Sequence, residues 1–377
     1  MRPGPDESGP AWDKSHLPVL CAKRTEWLRG GGESCDVVMS SRVRLARNLA
    51  GFPFMPKAER ADREQILELC RRQIVAARLA PQHMWVDLHS ASKAERSLLV
   101  ERQLISRPHA TGKLSSGKGG AGEPRAVAVG LPDEQLAVSV NEEDHIRIQV
   151  IRTGLDLAEA YRRADKADDA LESGLEFAFS PVFGYLTACP TNVGTGARFS
   201  VMLHLPALKM TGEIEKVKNA ADDMGLAVRG FYGEGSDAAG DFFQLSNQIT
   251  LGKSEQRLLE IMQDEIVPMV VEYERRARDA LLGRRRRATE DTIFRALGVL
   301  ENARLLSVEE AMNLLSRVRL GVTLRLLTDI DPDTVCHLFL LVQNAHLERT
   351  CERGTEPIDR NAVRADLLRS RLHARPG

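Results

Sequence analysis

The chain has 377 residues, which is enough for a sizeable core and for two domains. Its 52 Lys+Arg and 53 Asp+Glu give a formal net charge of -1, so no global field favours nucleic acid or an anionic membrane as a partner. The start lacks the apolar core of a signal peptide, and no apolar run approaches the roughly 20 residues of a membrane helix, so we expect a cytoplasmic protein.

Two stretches are too rich in Gly, Pro, Ser or charge to bury much surface by themselves. Residues 1–36 predict a mostly flexible lead-in, apart from a short amphipathic piece near Trp27. Residues 107–125 predict a mobile loop. Within that loop, residues 112–118 have the spacing of a phosphate-binding P-loop. Gly119 stands where the Ser or Thr should be and no strand precedes, so we reject a P-loop.

Arginines recur on the polar side of the predicted strands. Residues 37–48 begin as a strand in which Arg42 and Arg44 share one face, while Val43 lies on the other. Further strands are predicted at 126–129, 136–140, 145–150, 198–204, 226–234 and 241–251, and the first of these suggest an antiparallel meander. Their polar faces carry Arg147, Arg198 and Arg229. A solvated strand face would explain each arginine taken singly.

A period of 3.6 residues predicts the helices. They are expected at 59–79, 92–104, 155–175 and 213–224. From Ser254 onwards the pattern is helical only, and Pro268 interrupts the first long helix. This change of period places the predicted domain boundary, with a catalytic domain at 37–254 and a helical domain at 255–377.

Residues 141–149 (NEEDHIRIQ) combine an acidic cluster with a strand. Glu142, Glu143 and Asp144 precede a segment in which polar and apolar residues alternate. Alternation places Arg147 on the polar face, beside the acidic cluster. An amphipathic strand next to a solvated acidic turn would give the same pattern.

The five arginines on strands need an anion if they meet. Gathering like charges is costly, and a guanidinium cannot relieve the repulsion by losing its proton. Its planar fork matches phosphate oxygens in pairs. A nucleotide triphosphate is therefore the expected ligand, with Mg²⁺ adding the positive charge that phosphoryl transfer needs.

Glu143 and Glu234 need a cation in the same place. A carboxylate next to a triphosphate repels it unless a cation lies between them, and a substrate guanidinium is such a cation. The pKa of a guanidinium is about 12.5 to 13.8 and that of Glu about 4.3, so glutamate cannot deprotonate the guanidinium beforehand. Proton removal must accompany formation of the N–P bond.

Four blocks, in the same order, resemble the signature blocks of the phosphagen (ATP:guanidino) kinases. They are residues 40–44 (SSRVR), 141–147 (NEEDHIR), 189–198 (CPTNVGTGAR) and 229–234 (RGFYGE). Creatine- and arginine-kinase relatives place a helical domain before the first block, whereas here it follows the last, and this layout is similar to that of the bacterial protein-arginine kinases. The resemblance implies an α+β fold, with an antiparallel sheet flanked by helices and followed by an all-α domain.

The resemblance also implies roles for individual residues. Glu143 and Glu234 would hold the guanidinium, and Cys189 would be a reactive thiol beside it. Taken alone, Cys189 would be explained as a buried structural cysteine, and the six cysteines lack the paired spacing of a disulfide framework or a zinc site. ATP would be bound by Ser40, Ser41, Arg42, Val43, Arg44, Arg147, Arg198, Phe199, Ser200, Val201, Met202, Arg229, Gly230, Phe231, Tyr232, Gly233 and Glu234.

The sequence departs from the family pattern at two places. Gln103 stands where the family commonly has a histidine, so one contact on the adenosine side is in question. The family's phosphoarginine-sensing motif corresponds to Arg360, Asn361, Arg364 and Ala365, where Asn361 replaces an aspartate. A neutral amide there removes a carboxylate that would pair with a guanidinium, which puts allosteric sensing of phosphoarginine in question.

The sequence is compatible with three functions. The leading hypothesis is an ATP-dependent kinase that phosphorylates exposed arginine residues of proteins and marks them for quality control or degradation. A kinase for free arginine or another small guanidino compound is the alternative within enzymes, and an inactive phosphoarginine-binding adaptor is the alternative outside them. The resemblance implies a homodimer under stress-response control, with a zinc-binding activator and a Clp-type protease as partners.

Overall fold

The computed structural model describes residues 24–113, 120–230, 239–350 and 360–373. Its strands are β1 (Val38–Arg47), β2 (Gln82–Asp87), β3 (Ala126–Leu131), β4 (Leu136–Val140), β5 (Ile146–Thr153), β6 (Phe179–Ser180), β7 (Gly184–Tyr185), β8 (Ala197–His204), β9 (Leu226–Gly230) and β10 (Phe242–Asn247). Within the described residues, eight of them form one antiparallel sheet in the order β2-β3-β4-β5-β1-β8-β10-β9, and β6 pairs with β7 in a short hairpin.

The register of the central strands gathers the arginines on one face of the sheet. Arg44 on β1 lies directly opposite Arg198 on β8, and Arg147 on β5 lies opposite Ala46 on β1. Arg229 on β9 lies opposite Gln244 on β10. Residues that are opposite one another across antiparallel strands share a face, so the predicted polar face of the separate strands becomes one continuous surface.

Helices cover the apolar face of the sheet, and further helices pack against parts of the arginine face. They are α1 (Arg60–Ala77), α2 (Lys93–Glu101), α3 (Arg107–Thr111), α4 (Leu157–Glu172), α5 (Pro206–Thr211), α6 (Ile214–Asp223), α7 (Glu255–Glu260), α8 (Val267–Arg284), α9 (Arg286–Asn302), α10 (Val308–Thr323), α11 (Pro332–Leu341), α12 (Asn344–Thr350) and α13 (Arg360–His373). The predicted class, an antiparallel sheet flanked by helices and followed by a helical region, is confirmed. No helix in the described ranges combines the length and the apolar character needed to cross a bilayer.

The main core lies between the apolar face of the sheet and the helices α1, α4 and α8. Val43 and Phe199, the neighbours of the arginines along the strands, are fully buried there. Leu258 and Leu281, from the helices that follow residue 254, belong to the same core. The first helices past the predicted boundary therefore share the core of the sheet, and the boundary itself stays a prediction.

Pro268 does not interrupt the helical path in the way that the sequence predicted. A π-helical turn, Ile261–Ile266, connects α7 to α8, and Pro268 lies in the first turn of α8. Pro268 therefore follows directly on the point where the hydrogen-bond pattern changes from π-helical to α-helical.

A second core joins the helices α9, α10, α11 and α13 to the sheet. Trp27 is fully buried in it and meets the ring of Phe242 edge-on, with 6.2 Å between the ring centroids. Further along the same segment, Asp36 forms ion pairs with Arg275 and Arg278. The sequence predicted order only near Trp27. In the structure the ordered contacts of this segment extend as far as Asp36.

Two local expectations from the sequence are wrong. Strand β2 was not predicted, although His83 and Trp85 alternate with apolar residues. The predicted mobile loop begins with the helix α3, which places His109 in the interior, and it ends with Arg125 buried. Arg125 donates to the backbone carbonyls of His109, Ala121 and Glu123. These hydrogen bonds hold together a stretch that has few apolar residues to bury. Residues 114–119 lie outside the described ranges.

Candidate active site

A cleft of about 870 Å³ opens on the polar face of the sheet. Strands β1, β5, β8 and β9 supply its positive wall, and the turns after β4 and before β8 supply its acidic and thiol groups. Residues predicted for the site that line this cleft are Arg42, Arg44, Arg147, Arg198, Arg229, Glu143 and Cys189, and Gln103 joins them. The structure thus brings the five predicted arginines and Glu143 to one cleft.

Arg42 and Arg44 lie in an environment that is short of negative charge. Burial and the nearby guanidinium groups of Arg198 and Arg147 lower the pKa of Arg42 to about 10. Burial, with Arg42 as the next cause, also holds the pKa of Arg44 well below its ordinary value. The Nε atom of Arg44 is buried and has no hydrogen-bond acceptor within the described part of the chain. These groups fit an anion with several oxygens.

Arg147 is the member of the cluster that carboxylates hold. Its Nη1 lies 2.6 Å from Oε1 of Glu142, and its Nη2 lies 3.1 Å from Oε2 of Glu143. Burial alone would lower the pKa of Arg147, but these carboxylates raise it overall. Arg147 therefore joins the positive wall to the acidic turn.

The two glutamates differ in exposure. Glu142 is buried, and its Oε1 also accepts a hydrogen bond of 2.5 Å from the hydroxyl of Ser106. Burial opposes ionisation of Glu142, yet Arg147 and its other partners lower its pKa overall. The side chain of Glu143 is 32 % exposed, so this carboxylate can be reached from the cleft. Sequence reasoning assigned no role to Glu142 or Ser106, because nothing in a local pattern indicates which of two adjacent glutamates is buried.

Asn141 fixes the acidic turn. It has a φ of 59°, in the left-handed region that Asn adopts more readily than most residues. Its amide Nδ2 donates to the carbonyls of Arg63 and Pro124, at 2.8 and 3.0 Å. The turn that carries Glu142 and Glu143 is thus attached to neighbouring segments by a buried side chain.

The turn that carries Cys189 is attached to the same acidic segment. Asp144 Oδ1 accepts hydrogen bonds of 2.7 Å from the backbone N–H of Ala188 and from the side chain of Asn48. Cys189 is half-buried, and its Sγ lies 3.1 Å from the hydroxyl of Thr191. Glu143 and Cys189 therefore lie at one end of the cleft, because their chain neighbours are bonded to each other.

Several residues predicted to bind ATP do not line the cleft. Ser41 is buried and bonds Gly154 and Asp156, and Ser200 pairs with Arg42 by a 3.3 Å contact to Nε. Alternate residues of a strand point to opposite faces, which places Val43, Phe199 and Val201 in the core. Ser200 lies on the arginine face, opposite Arg42, but does not line the cleft. The predicted residues whose side chains are absent from the lining are Ser40, Ser41, Val43, Phe199, Ser200, Val201, Met202 and Gly230.

The predicted residues Phe231, Tyr232, Gly233 and Glu234 lie outside the described ranges. The described chain resumes at Ala239, just before β10. Asp241 is fully buried, with its carboxylate 2.8 Å from Lys209 and 2.5 Å from the hydroxyl of Ser316 on α10. Helix α10 of the helical region therefore sets the position at which the chain returns to the sheet.

The residues predicted to sense phosphoarginine lie on or next to α13. Arg364 is 1 % exposed and donates to the carbonyls of Val342 and Leu306 and to the side-chain oxygen of Asn344. It also donates to Oδ1 of Asn361. Ala365 is fully buried, and Arg360 forms an ion pair with Glu348. In this structure Arg364 holds the ends of neighbouring helices together rather than facing solvent.

Two family descriptions match successive parts of the chain. Residues 66–277, more than half of the chain, match the family described as ATP:guanido phosphotransferase, C-terminal catalytic domain. The chain belongs to the ATP:guanido phosphotransferase family. Residues 286–376 match the protein-arginine kinase McsB C-terminal domain, which follows the catalytic domain without overlap.

Relatives within this family align along nearly the whole chain. The protein-arginine kinase of Symbiobacterium thermophilum is 43 % identical over 359 residues, which is 94 % of this chain and 99 % of that protein. The protein-arginine kinase of Moorella thermoacetica is 42 % identical, over 93 % of this chain and 98 % of its own. These relatives confirm the prediction of a protein-arginine kinase.

Solved structures of the phosphotransferase family share the fold. The duplicated taurocyamine kinase from Schistosoma mansoni with bound transition-state-analogue components has a TM-score of 0.54 at 25 % identity, covering 71 % of this chain and 39 % of that chain. Lombricine kinase has a TM-score of 0.53 at 23 % identity, covering 72 % of this chain and 73 % of its own. These likenesses support the fold class.

Proposed function

We propose that the protein transfers the γ-phosphoryl group of Mg-ATP to the guanidinium of arginine residues in proteins, through the cleft described above. One arrangement carries the proposal: a wall of arginines and the accessible carboxylate of Glu143 face the same cleft, and Arg147 contacts both. The first element fits an anionic phosphate chain, and the second fits a cationic guanidinium.

The phosphates of ATP fit the arginine wall. Arg42, Arg44, Arg198 and Arg229 line it, and the buried Nε of Arg44 has a hydrogen bond to give. In the described ranges no group of three or more His, Cys, Asp or Glu side chains is arranged as a metal site. Mg²⁺ would enter with ATP rather than bind to the arginines, because it is commonly bound through substrate phosphates and water. When bound, it would neutralise charge that develops on the transferred group.

The guanidinium fits the opposite end of the cleft. Glu143 would accept its N–H bonds and direct one nitrogen towards the γ-phosphorus, with Glu234 as the second carboxylate. The N–P bond forms as the bond from phosphorus to the ADP oxygen breaks, and in the same step one guanidinium proton passes to the carboxylate of Glu143, while ADP leaves with Mg²⁺. Cys189 lies beside Glu143 and would contact the guanidinium from the neighbouring turn.

The cellular setting is part of the proposal. The order of the domains and the match of the helical region support a role like that of bacterial protein-arginine kinases. We propose a cytoplasmic homodimer, active in the stress response, that marks proteins for degradation. A zinc-binding activator and a Clp-type protease are the proposed partners.

Incubation with Mg-ATP and either an unfolded protein or free arginine tests the proposal. We expect acid-labile phosphate on arginine residues of the protein, identified by mass spectrometry. Phosphate on free arginine alone would replace the proposal by a kinase for small guanidino compounds. Binding of phosphoarginine without any transfer would favour an inactive adaptor.

A Glu143→Gln variant tests the site within the same assay. Removal of this carboxylate should lower kcat by about 10²-fold or more, because positioning and charge at the reacting nitrogen are lost. Asp133→Asn, a substitution of an acidic residue that does not line the cleft, is the matched control and should retain the wild-type rate. Full turnover by Glu143→Gln would refute the role of Glu143.

A further inference from the structure

A set of exposed apolar side chains lies around the turn that carries Cys189. We call it the apolar rim. Soluble proteins rarely expose neighbouring large apolar groups unless they serve as a contact surface. The apolar rim consists of Phe179 (57 % exposed), Val182 (78 %) and Phe183 (55 %) on the hairpin β6–β7, and Ile249 (54 %) and Leu251 (49 %) after β10.

Backbone contacts place both parts of the apolar rim against the turn that holds Cys189. On one side, the N–H of Tyr185 donates to the carbonyl of Gly194 at 2.8 Å. On the other side, the hydroxyl of Thr250 donates to the carbonyl of Val193 at 2.7 Å. A Cβ atom on Gly194 would lie 3.0 Å from the Cα of Leu251, so the two segments are in close contact. The turn that carries Cys189 therefore has exposed apolar residues on both of its sides.

The hairpin has a rigid support. The guanidinium of Arg47 lies 3.5 Å from the centroid of the Tyr185 ring, and it also bonds the buried carboxylate of Asp168. Phe179 meets Tyr185 edge-on at 5.3 Å. A surface that is already ordered loses little conformational entropy when a ligand binds to it, which is a property of binding surfaces.

We propose that the apolar rim binds the polypeptide on either side of the target arginine, and that it selects segments with apolar residues next to that arginine. The inference rests on the proposed function, since only a protein substrate brings a main chain. Glu143 and Cys189 lie at one end of the cleft, so a chain whose arginine reaches Glu143 must cross the border of the cleft at that end. The side chains that it meets there are those of the apolar rim.

Free arginine has no such segment. The apolar rim therefore gives the enzyme a way to prefer arginine in an unfolded or extended chain, in which apolar residues are exposed, over the free amino acid. Apolar contact removes surface from water and contributes to binding without touching the reacting atoms. Its contribution should appear in KM and not in kcat.

Steady-state phosphorylation of three substrates tests the proposal. They are a peptide with Leu and Phe on both sides of a single arginine, a peptide of the same length with Ser and Gly in those positions, and acetyl-arginine amide. We expect the wild-type enzyme to phosphorylate the apolar peptide with a kcat/KM about tenfold above that of the polar peptide, through a lower KM.

The double variant Val182→Ser, Phe183→Ser should lose this preference and keep the wild-type kcat/KM for the amide. Phe294→Ser and Leu305→Ser are matched controls, since both residues are exposed (52 % and 60 %) and lie on the helical region. They should keep the preference. Thermal unfolding of every variant checks that the fold is intact, which is expected because the replaced side chains are exposed.

Other outcomes would overturn the inference. A double variant that keeps the tenfold preference, or a wild-type enzyme without one, would remove the apolar rim as a substrate surface. A double variant that keeps the preference but changes the sedimentation coefficient would assign the apolar rim to self-association. Absence of phosphate transfer to all three substrates by the wild-type enzyme would instead contradict the proposed function itself.

Discussion

The guanidinium of Arg147 lies 3.1 Å from the carboxylate of Glu143. Arg147 thus takes the position, relative to Glu143, that the proposed function gives to a substrate guanidinium. The same side chain belongs to the arginine wall proposed for phosphates. If Arg147 binds a nucleotide phosphate as proposed, that phosphate and Glu143 would compete for Arg147, and the competition would couple the two halves of the cleft.

Nucleotide should strengthen binding of the guanidino substrate. When phosphate attracts Arg147, Glu143 loses a competing cation, and the affinity for an arginine peptide should rise about fivefold in saturating Mg-ADP. Isothermal titration with and without Mg-ADP measures the change, and linkage requires the peptide to raise the affinity for Mg-ADP by the same factor.

Arg147→Ala and Arg42→Ala distinguish this coupling from a general charge effect. Arg147→Ala should bind the peptide more tightly without nucleotide and lose the further gain from Mg-ADP. Arg42 contacts Ser200 rather than a carboxylate, so Arg42→Ala should weaken nucleotide binding and raise peptide affinity less. Equal gains in the two variants would contradict the exchange between Arg147 and Glu143.

Glu142→Gln should affect nucleotide binding. The buried carboxylate of Glu142 holds Arg147 at 2.6 Å and is itself fixed by Ser106. A neutral amide removes the closer of the two carboxylates that hold Arg147 in position. We therefore expect the KM for ATP to rise about tenfold. Initial rates over a range of ATP concentrations check this. Ser106→Ala should change KM in the same direction by a smaller factor, and an unchanged KM in both variants would show that Glu142 does not position Arg147.

Arg364→Ala should destabilise the fold. Arg364 donates to two backbone carbonyls and to the side chain of Asn344, all of which would be left without this donor. Loss of several buried hydrogen bonds should cost about 2 to 4 kcal/mol in the free energy of unfolding. Urea unfolding measures the cost. Arg360→Ala, which removes a largely exposed ion pair, should cost less than about 1 kcal/mol. Equal effects would contradict the structural role of Arg364.

Stability should fall as the medium is acidified below neutral pH. Burial lowers the pKa of His109 and of His145 to about 4, whereas in the unfolded chain it is about 6.5. Between these values the unfolded state binds more protons, so stability present above pH 6.5 is lost as the pH falls through 4. His145 accepts from the N–H of Leu49, and that bond requires the neutral ring.

Urea unfolding between pH 7.5 and 4.5 checks this dependence. His145→Gln should be less stable than the wild type at pH 7.5 and should lose less stability on acidification. His89→Gln, at a half-buried histidine on the surface of the sheet domain, is the control and should follow the wild type. A His145→Gln variant with the wild-type slope would contradict the assignment to His145.

The strand pattern could be predicted from sequence because it is local. Arg42 and Arg44 alternate with apolar residues, and a pleated chain directs alternate side chains to opposite faces whatever lies around it. The same property predicted the polar face for Arg147, Arg198 and Arg229. The short strand β2 escaped prediction because its alternation spans few residues and competes with the helical patterns on both sides.

The amino-acid sequence by itself determined the common polar face of the five arginines and, through its four blocks, the family. Only the tertiary structure decided that Glu142 is the buried partner of Arg147 and Glu143 the accessible one, that Arg364 is enclosed, and that the apolar rim borders the turn of Cys189. The physical reason is that burial, pairing of charges and closeness of loops depend on segments far apart in the chain, whose separation the sequence alone does not specify.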